Sequence, residues 1–223
     1  MVENGERPKA VLRLTLSTRT GPLQILCIGA HSDDLEIGCG GTVLRLLAEH
    51  DTAVRWVVLG CSGERLKEAQ LSAESLLVGA KQKQVEIHGF RDGYFPYVGR
   101  EIKEAFEKLK SQVSPDLIFT HTRADLHQDH RLVSELTWNT FRDHLILEYE
   151  IPKYDGDLGL PNMFVALDES LVEKKIRHLL DFFATQRDKR WFDEETFRGL
   201  LRLRGVEAGV HYAEAFYARK VAF

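Results

Sequence analysis

The chain has 223 residues, 43% of them hydrophobic and 29% charged, with a formal net charge of −4. That balance suits a soluble globular protein with one sizeable α/β core or two small ones. A net negative charge speaks against nucleic acid as the main partner, which asks for a basic face. The longest apolar runs are strand-sized, short of the roughly 20 residues of a membrane helix. The first twenty residues carry charges throughout and lack a signal-peptide core. Three cysteines, Cys27, Cys39 and Cys61, show no zinc-type CxxC spacing and no even count for a disulfide framework. The expectation is a cytoplasmic protein with reduced thiols and no membrane span; self-association is left open.

Residues 23–30 (LQILCIGA) form an apolar β-type run. A helix is predicted from Gly41 to about Glu49, with Val43, Leu44, Leu47 and Ala48 on one face. AVRWVVLG (53–60) is a second buried strand, and residues 64–78 carry Leu66, Ala69, Ala73, Leu76 and Leu77 at helical spacing. VEIHGF (85–90) is a third, shorter strand. Ile102, Ala105, Phe106, Leu109 and Val113 mark a helix stopped by Pro115, and DLIFTH (116–121) is a fourth strand. Val133, Leu136, Thr140 and Phe141 predict a helix, followed by a strand over LILEYEI (145–151). In the tail, MFVAL (163–167) reads as a strand. Val172, Ile176, Leu179, Leu180 and Phe183 mark an amphipathic helix, and a Leu-rich helix spans 194–204. Strand and helix alternating in this way predict an α/β fold: a doubly wound, mostly parallel sheet with helices on both faces, Rossmann-like. With no Pro- or Ser-rich linker, repeat or low-complexity tract, residues 1–223 read as a single domain. Its C-terminal third, from about residue 150, is expected to pack on the sheet.

Two segments carry chemistry, and each lies just past the carboxyl end of a predicted strand. The first is His31-Ser32-Asp33-Asp34-Leu35-Glu36; the second runs from His121 through Asp125, His127, Asp129 and His130. In open α/β sheets the ligand crevice lies at the carboxyl ends of strands, so both segments can face one site. One acidic residue ahead of a helix is explained by capping; four acidic or imidazole groups in six residues, with a second cluster, are not. Two imidazoles and one carboxylate suit zinc and leave a fourth tetrahedral position open. The glycines Gly38, Gly40 and Gly41 (GCGG) do not form a dinucleotide GxGxxG, and the neighbouring carboxylates would repel a pyrophosphate.

At these residues the chain resembles the PIG-L (LmbE-like) deacetylases. Their motif AHPDDxE reads here Ala30-His31-Ser32-Asp33-Asp34-Leu35-Glu36, and HxDH reads His127-Gln128-Asp129-His130. Gln186, Arg204-Gly205 and Tyr212-Ala213-Glu214-Ala215-Phe216 are similar to the family's C-terminal signatures. The resemblance implies a zinc-dependent hydrolase that removes an N-acyl group, usually acetyl, from an amino-sugar conjugate such as an N-acetylglucosamine derivative, a small molecule. It implies zinc ligation by His31, Asp34 and His130, with Asp33 as the base that deprotonates the attacking water. It also implies that His127 stabilises the oxyanion or protonates the leaving amine, with Asp129 orienting the His127 ring. Ser32 replaces the motif's proline and is expected to touch no catalytic atom.

Glu36 is expected to orient the loop through backbone hydrogen bonds, and His121 and Asp125 to support the ligands. His211, Trp191 and Asp92 are candidates for substrate contact. For Trp191 a place in the core, and for Asp92 a plain turn, are the simpler roles. Two rival functions remain. A non-haem Fe(II) oxygenase would use His31, Asp33 and His130 as a 2-His-1-carboxylate triad. A non-catalytic metal- or sugar-binding protein would keep the ligands without needing Asp33 and His127.

Overall fold

The computed structural model describes residues 21–221, so the charged N-terminal twenty lie outside the described residues. In chain order the elements are β1 (Leu23–His31), α1 (Asp34–Glu49), β2 (Thr52–Gly60), α2 (Gly63–Leu76), β3 (Gln82–Ile87), α3 (Gly99–Gln112) and β4 (Leu117–His121). They continue with α4 (Gln128–Thr140), β5 (Leu145–Tyr149), β6 (Met163–Leu167), α5 (Glu169–Phe182), α6 (Glu194–Glu207) and β7 (Tyr212–Ala218). The strands form one sheet in the order β3-β2-β1-β4-β5-β7-β6. β1 to β5 pair in parallel, and β7 runs antiparallel to both β5 and β6.

The apolar runs of β1, β2 and β4 are buried on both faces, as a sheet covered from two sides requires. One face packs Leu35 and Val43 of α1, Ala73 of α2, Ile176 of α5 and Leu201 of α6 into a common core. Ile102 and Phe106 of α3 pack with Val133 and Trp138 of α4 on the other face. The chain therefore winds outward in both directions from the β1/β4 pair, which is the switch point where a crevice opens at the strand ends. Among the described residues no helix is long and apolar enough to cross a membrane.

The structure departs from the periodicity reading where glycine or charge masks an element. α1 starts at Asp34, seven residues before Gly41, so the glycines lie inside a helix. A Cβ at Gly38 would overlap the Tyr149 ring, and one at Gly41 would meet Leu167 and Glu214. These glycines admit close neighbours, which outweighs their poor helix propensity. The Glu214 carboxylate accepts from the Gly41 and Thr42 amides at 2.8 and 2.6 Å, and Lys175 Nζ donates to both Glu214 and the Ile37 carbonyl. β3 begins at Gln82 rather than Val85, because its exposed edge is built from Gln82, Lys83 and Gln84. β7 carries no clear strand signal in the sequence, since Glu214 and three alanines break up its apolar run although its first five residues are buried.

β6 and β7 extend the sheet, and Arg204 of α6 clamps the connection before them. Its guanidinium donates to Glu150 at 2.8 and 3.0 Å and to the Gly159 carbonyl at 3.1 Å. Gly205 has no room for a Cβ, which would run into the His211 carbonyl. A direct check lies in α1. Gly38→Ala is expected to destabilise the protein by about 1–3 kcal/mol through overpacking. Gly40→Ala, whose Cβ would meet nothing nearer than 3.8 Å, should be neutral or slightly stabilising. Urea unfolding of the two variants measures the difference; equal midpoints would contradict this packing role.

Candidate metal and catalytic site

β1 delivers His31 at its last residue, and Ser32 and Asp33 lead into α1, with Asp33 at the N-cap position and Asp34 in the first turn. β4 delivers His121; the loop after it carries Asp125 and ends on His127, the N-cap of α4, so Asp129 and His130 fall in that helix's first turn. The residues before His130 thus form a helix start, not a free loop. His31, Asp33, Asp34, Asp129 and His130 are all buried, and His127 is half-buried. All six of the site residues expected from sequence come together at the β1/β4 switch point.

Three donor atoms converge. His31 Nδ1 lies 3.1 Å from His130 Nε2 and 3.5 Å from Asp34 Oδ2, and His130 Nε2 lies 3.6 Å from Asp34 Oδ2. A tetrahedral ion with ligand bonds of about 2.0–2.1 Å has neighbouring donors about 3.3 Å apart. The triangle fits that edge length on every side. Other donors sit close by: His127 groups with His31 and His130, and His121 groups with Asp34 and His130, each within 4.8 Å.

Carboxylates behind the rings decide which nitrogens face inward. Asp125 Oδ2 is 2.9 Å from His130 Nδ1, so that nitrogen carries the proton and Nε2 presents its lone pair. Asp129 Oδ2 is 3.1 Å from His31 Nε2, which leaves the His31 Nδ1 lone pair inward. Two lone pairs and an anionic oxygen then face one point, an arrangement that calls for a positive charge between them. Without an ion, a proton on His31 takes the place of that positive charge. Burial works against charging His31, yet Asp34, Asp129 and Asp92 outweigh it and raise the ring well above the usual imidazole range.

Asp129 therefore does not orient the His127 ring by its carboxylate, as expected from sequence. That carboxylate is bound by His31 and by the Gly93 and Phe95 amides at 2.7 and 3.1 Å. The Asp129 contact with His127 is through the backbone: its amide donates to His127 Nδ1 at 3.3 Å. His127 Nδ1 is thus an acceptor, and its proton sits on Nε2. Burial, then His130 and His31, lower the His127 pKa, keeping the ring neutral near pH 7.

The adjacent carboxylates are driven apart. Burial opposes ionisation of Asp34, but His130, His121 and His31 overcome it and hold the group well below the usual range. Asp33 is raised by burial and by the Asp34 charge, only partly offset by Arg65 and Lys189. The two carboxylates are thus pushed in opposite directions, Asp34 towards the ionised form and Asp33 towards the protonated one.

The family pattern described as PIG-L, GlcNAc-PI de-N-acetylase, matches residues 26–141. An uncharacterised deacetylase of Escherichia coli (strain K12), YaiS, is 31% identical over 169 residues, which is 70% of this chain and 88% of YaiS. The chain belongs to the PIG-L family. Among solved structures, the N,N'-diacetylchitobiose deacetylase of Pyrococcus horikoshii is similar with a TM-score of 0.63 and 24% identity, over 87% of this chain and 83% of that one. GalB, the 4-carboxy-2-hydroxymuconate hydratase of Pseudomonas putida KT2440, has a TM-score of 0.72 and 18% identity, over 90% of this chain and 98% of its own. A deacetylase and a hydratase share this fold, so the fold alone does not choose the reaction.

In this PIG-L protein the sequence reading missed Arg65 and undervalued Asp92. Arg65, from α2, donates to Asp92 Oδ2 at 2.7 Å and to Ser32 Oγ at 3.1 Å, and stands 3.6 Å from Asp33 Oδ1. Asp92, placed by its turn 3.1 Å from His31 Nε2, is 48% exposed and so joins the buried site to solvent. A single Arg on an amphipathic helix has no distinguishing sequence signal. The expectation that Ser32 touches no catalytic atom is corrected: its Oγ lies 3.4 Å from Asp33 Oδ1. Glu36 is also different from expectation. Its carboxyl bonds Ser72 of α2, which in turn meets His178 at 2.8 Å, and burial pushes Glu36 up to about 8. His121 does back the site, 3.2 Å from Asp34 Oδ2 and stacked on the His130 ring; burial and then His130 push it down to about 4. Trp191 sits edge-on to the buried Phe192, and His211 is exposed and joins none of the donor groups.

The link from Asp125 to His130 yields a binding test. Asp125→Ala frees the His130 tautomer, so added zinc should bind about 10–100-fold more weakly than to the parent. Competition with a chromophoric chelator reads the constant; unchanged affinity would separate Asp125 from the metal site.

Proposed function

We propose that the protein is a zinc-dependent amide hydrolase that removes an N-acyl group, acetyl foremost, from a small amino-sugar conjugate of the N-acetylglucosamine type. The observation that carries this reading is the donor triangle of His31, Asp34 and His130, with the buried carboxylate of Asp33 next to it in the chain and outside the triangle. The PIG-L match, YaiS and the chitobiose deacetylase support the acyl group and the sugar.

His31 Nδ1, Asp34 Oδ2 and His130 Nε2 would hold the zinc, which supplies an acidified water and a polarised carbonyl when bound. Asp33 Oδ1 is engaged by Ser32 and Arg65, so Oδ2 takes the proton of the attacking water. The neutral His127 donates its Nε2 proton as a hydrogen bond to the carbonyl oxygen as that oxygen gains charge. Asp33 then passes its proton to the departing nitrogen, giving the free amine and the carboxylate. Asp129 acts through His31, holding the ring so that Nδ1 faces inward. Asp92, partly exposed beside His31, offers a carboxylate to sugar hydroxyls. The unpaired, buried thiols of Cys27, Cys39 and Cys61 suit a reducing, cytoplasmic setting.

The oxygenase reading needs Asp33 as a ligand, whereas Asp34 stands in the donor triangle. A pure binding protein has no use for Asp33 and His127 beside the donor triangle. The test is acetate release by zinc-loaded protein from a panel of N-acetylglucosamine conjugates. Asp33→Asn should keep zinc and lose about 10²–10⁴ in turnover. His127→Ala should keep zinc and a near-normal KM while losing about 10²–10³ in kcat. Zinc loss in His127→Ala would make it a ligand, and full turnover by Asp33→Asn would remove the proposed base.

A further inference from the structure

Ser32 occupies the position where the family motif has proline, and the structure gives its hydroxyl two partners. Arg65 Nε donates to Ser32 Oγ at 3.1 Å, and that hydroxyl points on to Asp33 Oδ1 at 3.4 Å. Ser32 is 1% exposed and Asp33 3% exposed, so water does not compete for these contacts. The Arg65 Nη1 arm is held by Asp92 at 2.7 Å, and its Nη2 arm lies 3.6 Å from the same Asp33 oxygen. A proline has no hydroxyl to bridge the two side chains.

We propose that Ser32 is a positioning residue for the Asp33 base: its hydroxyl couples Arg65 to Asp33 and fixes which carboxylate oxygen faces the substrate. The chain of donors runs from Arg65 Nε–H through Ser32 O–H to Asp33 Oδ1, each bond polarising the next. With Oδ1 occupied from behind, Oδ2 is left toward the site, and the carboxylate cannot rotate without breaking a buried hydrogen bond. A proline at this position limits the backbone before Asp33; serine instead restrains the side chain itself. The exchange thus moves the restraint from backbone to side chain and makes α2, through Arg65, part of the machinery that aims the base.

This inference rests on the hydrolase reading for its kinetic arm and stands apart from it in a spectroscopic arm. In zinc-loaded protein, Ser32→Ala and Ser32→Pro should each lower kcat about tenfold, with zinc content and KM unchanged. Ser32→Thr, which keeps the hydroxyl, should recover most of the loss. Introduced into an Arg65→Lys background, Ser32→Ala should cost little more, because the coupled partner has already gone. Independently of turnover, the Arg65 Nε–H resonance should exchange slowly with solvent in the parent and in Ser32→Thr, and rapidly in Ser32→Ala and Ser32→Pro. Parent-like kcat in Ser32→Pro, additive losses in the double variant, or a rapidly exchanging Arg65 Nε–H in the parent would each overturn the proposal. If no conjugate is turned over and the exchange pattern still appears, the hydrolase reading fails while the Ser32–Arg65 coupling stands.

Discussion

Three lone-pair donors from two segments, one at the end of β1 and one beyond β4, are aimed at one point, and much of the structure keeps them aimed. His31 ends β1 and His130 begins α4, with β4 between them in the chain, so their meeting depends on β1 and β4 pairing in parallel at the switch point. Neither ring would hold its orientation unaided, because an imidazole can turn or change tautomer. Asp125 and Asp129 remove that freedom by taking the outward nitrogens. Asp129 is itself fixed by two backbone amides, and Asp125 by Lys153 at 3.1 Å and by the His127 amide at 2.8 Å. Each of the two imidazoles is thus backed by a carboxylate, and each carboxylate by a donor from a separate loop.

The same logic explains the C-terminal third. Lys153 reaches Asp125 from the segment after β5, and Asp157 in that segment accepts from Lys153 and from the Leu126 amide at 2.7 Å. The segment is fastened in turn by the Glu150–Arg204 pair and the Gly159 carbonyl. On the other side, Glu214 of β7 and Lys175 of α5 hold the middle of α1, the helix that carries Asp34. Arg204-Gly205 and Glu214, which look like weak signatures along the chain, act as supports of the segment after β5 and of α1. Buried ion pairs of this kind contribute little net stability but cost several kcal/mol when one partner is removed, which suits a role in fixing geometry.

Much of this was legible in the sequence, for identifiable reasons. The central strands are apolar because both of their faces are covered, so they stand out. His31, Asp33, Asp34, His127, Asp129 and His130 stand out because capping or solvation explains one such residue, not two clusters. What escaped notice depends on tertiary partners. The start of α1 was hidden because Gly38 and Gly41 read as helix breakers until Tyr149, Leu167 and Glu214 are seen pressed against them. Asp129 lies two residues from His127 in the chain, which suggested the wrong ring; only the fold brings His31 to its carboxylate. Arg65 and Asp92 are ordinary residues in ordinary segments, and their meaning comes from distances to Ser32, Asp33 and His31. Ser32 reads as a harmless substitution because Arg65, which holds its hydroxyl beside Asp33, is 33 residues away.

The central claim is that the inward donors make one tetrahedral site with two imidazoles, one carboxylate and an open position. X-ray absorption at the zinc edge of metal-loaded protein tests it most directly. The account predicts four nitrogen or oxygen neighbours at about 2.0–2.1 Å, with the scattering of two imidazole rings, falling to one ring in His31→Ala. A sulfur neighbour at about 2.3 Å, a third imidazole, or a six-coordinate ion would contradict it.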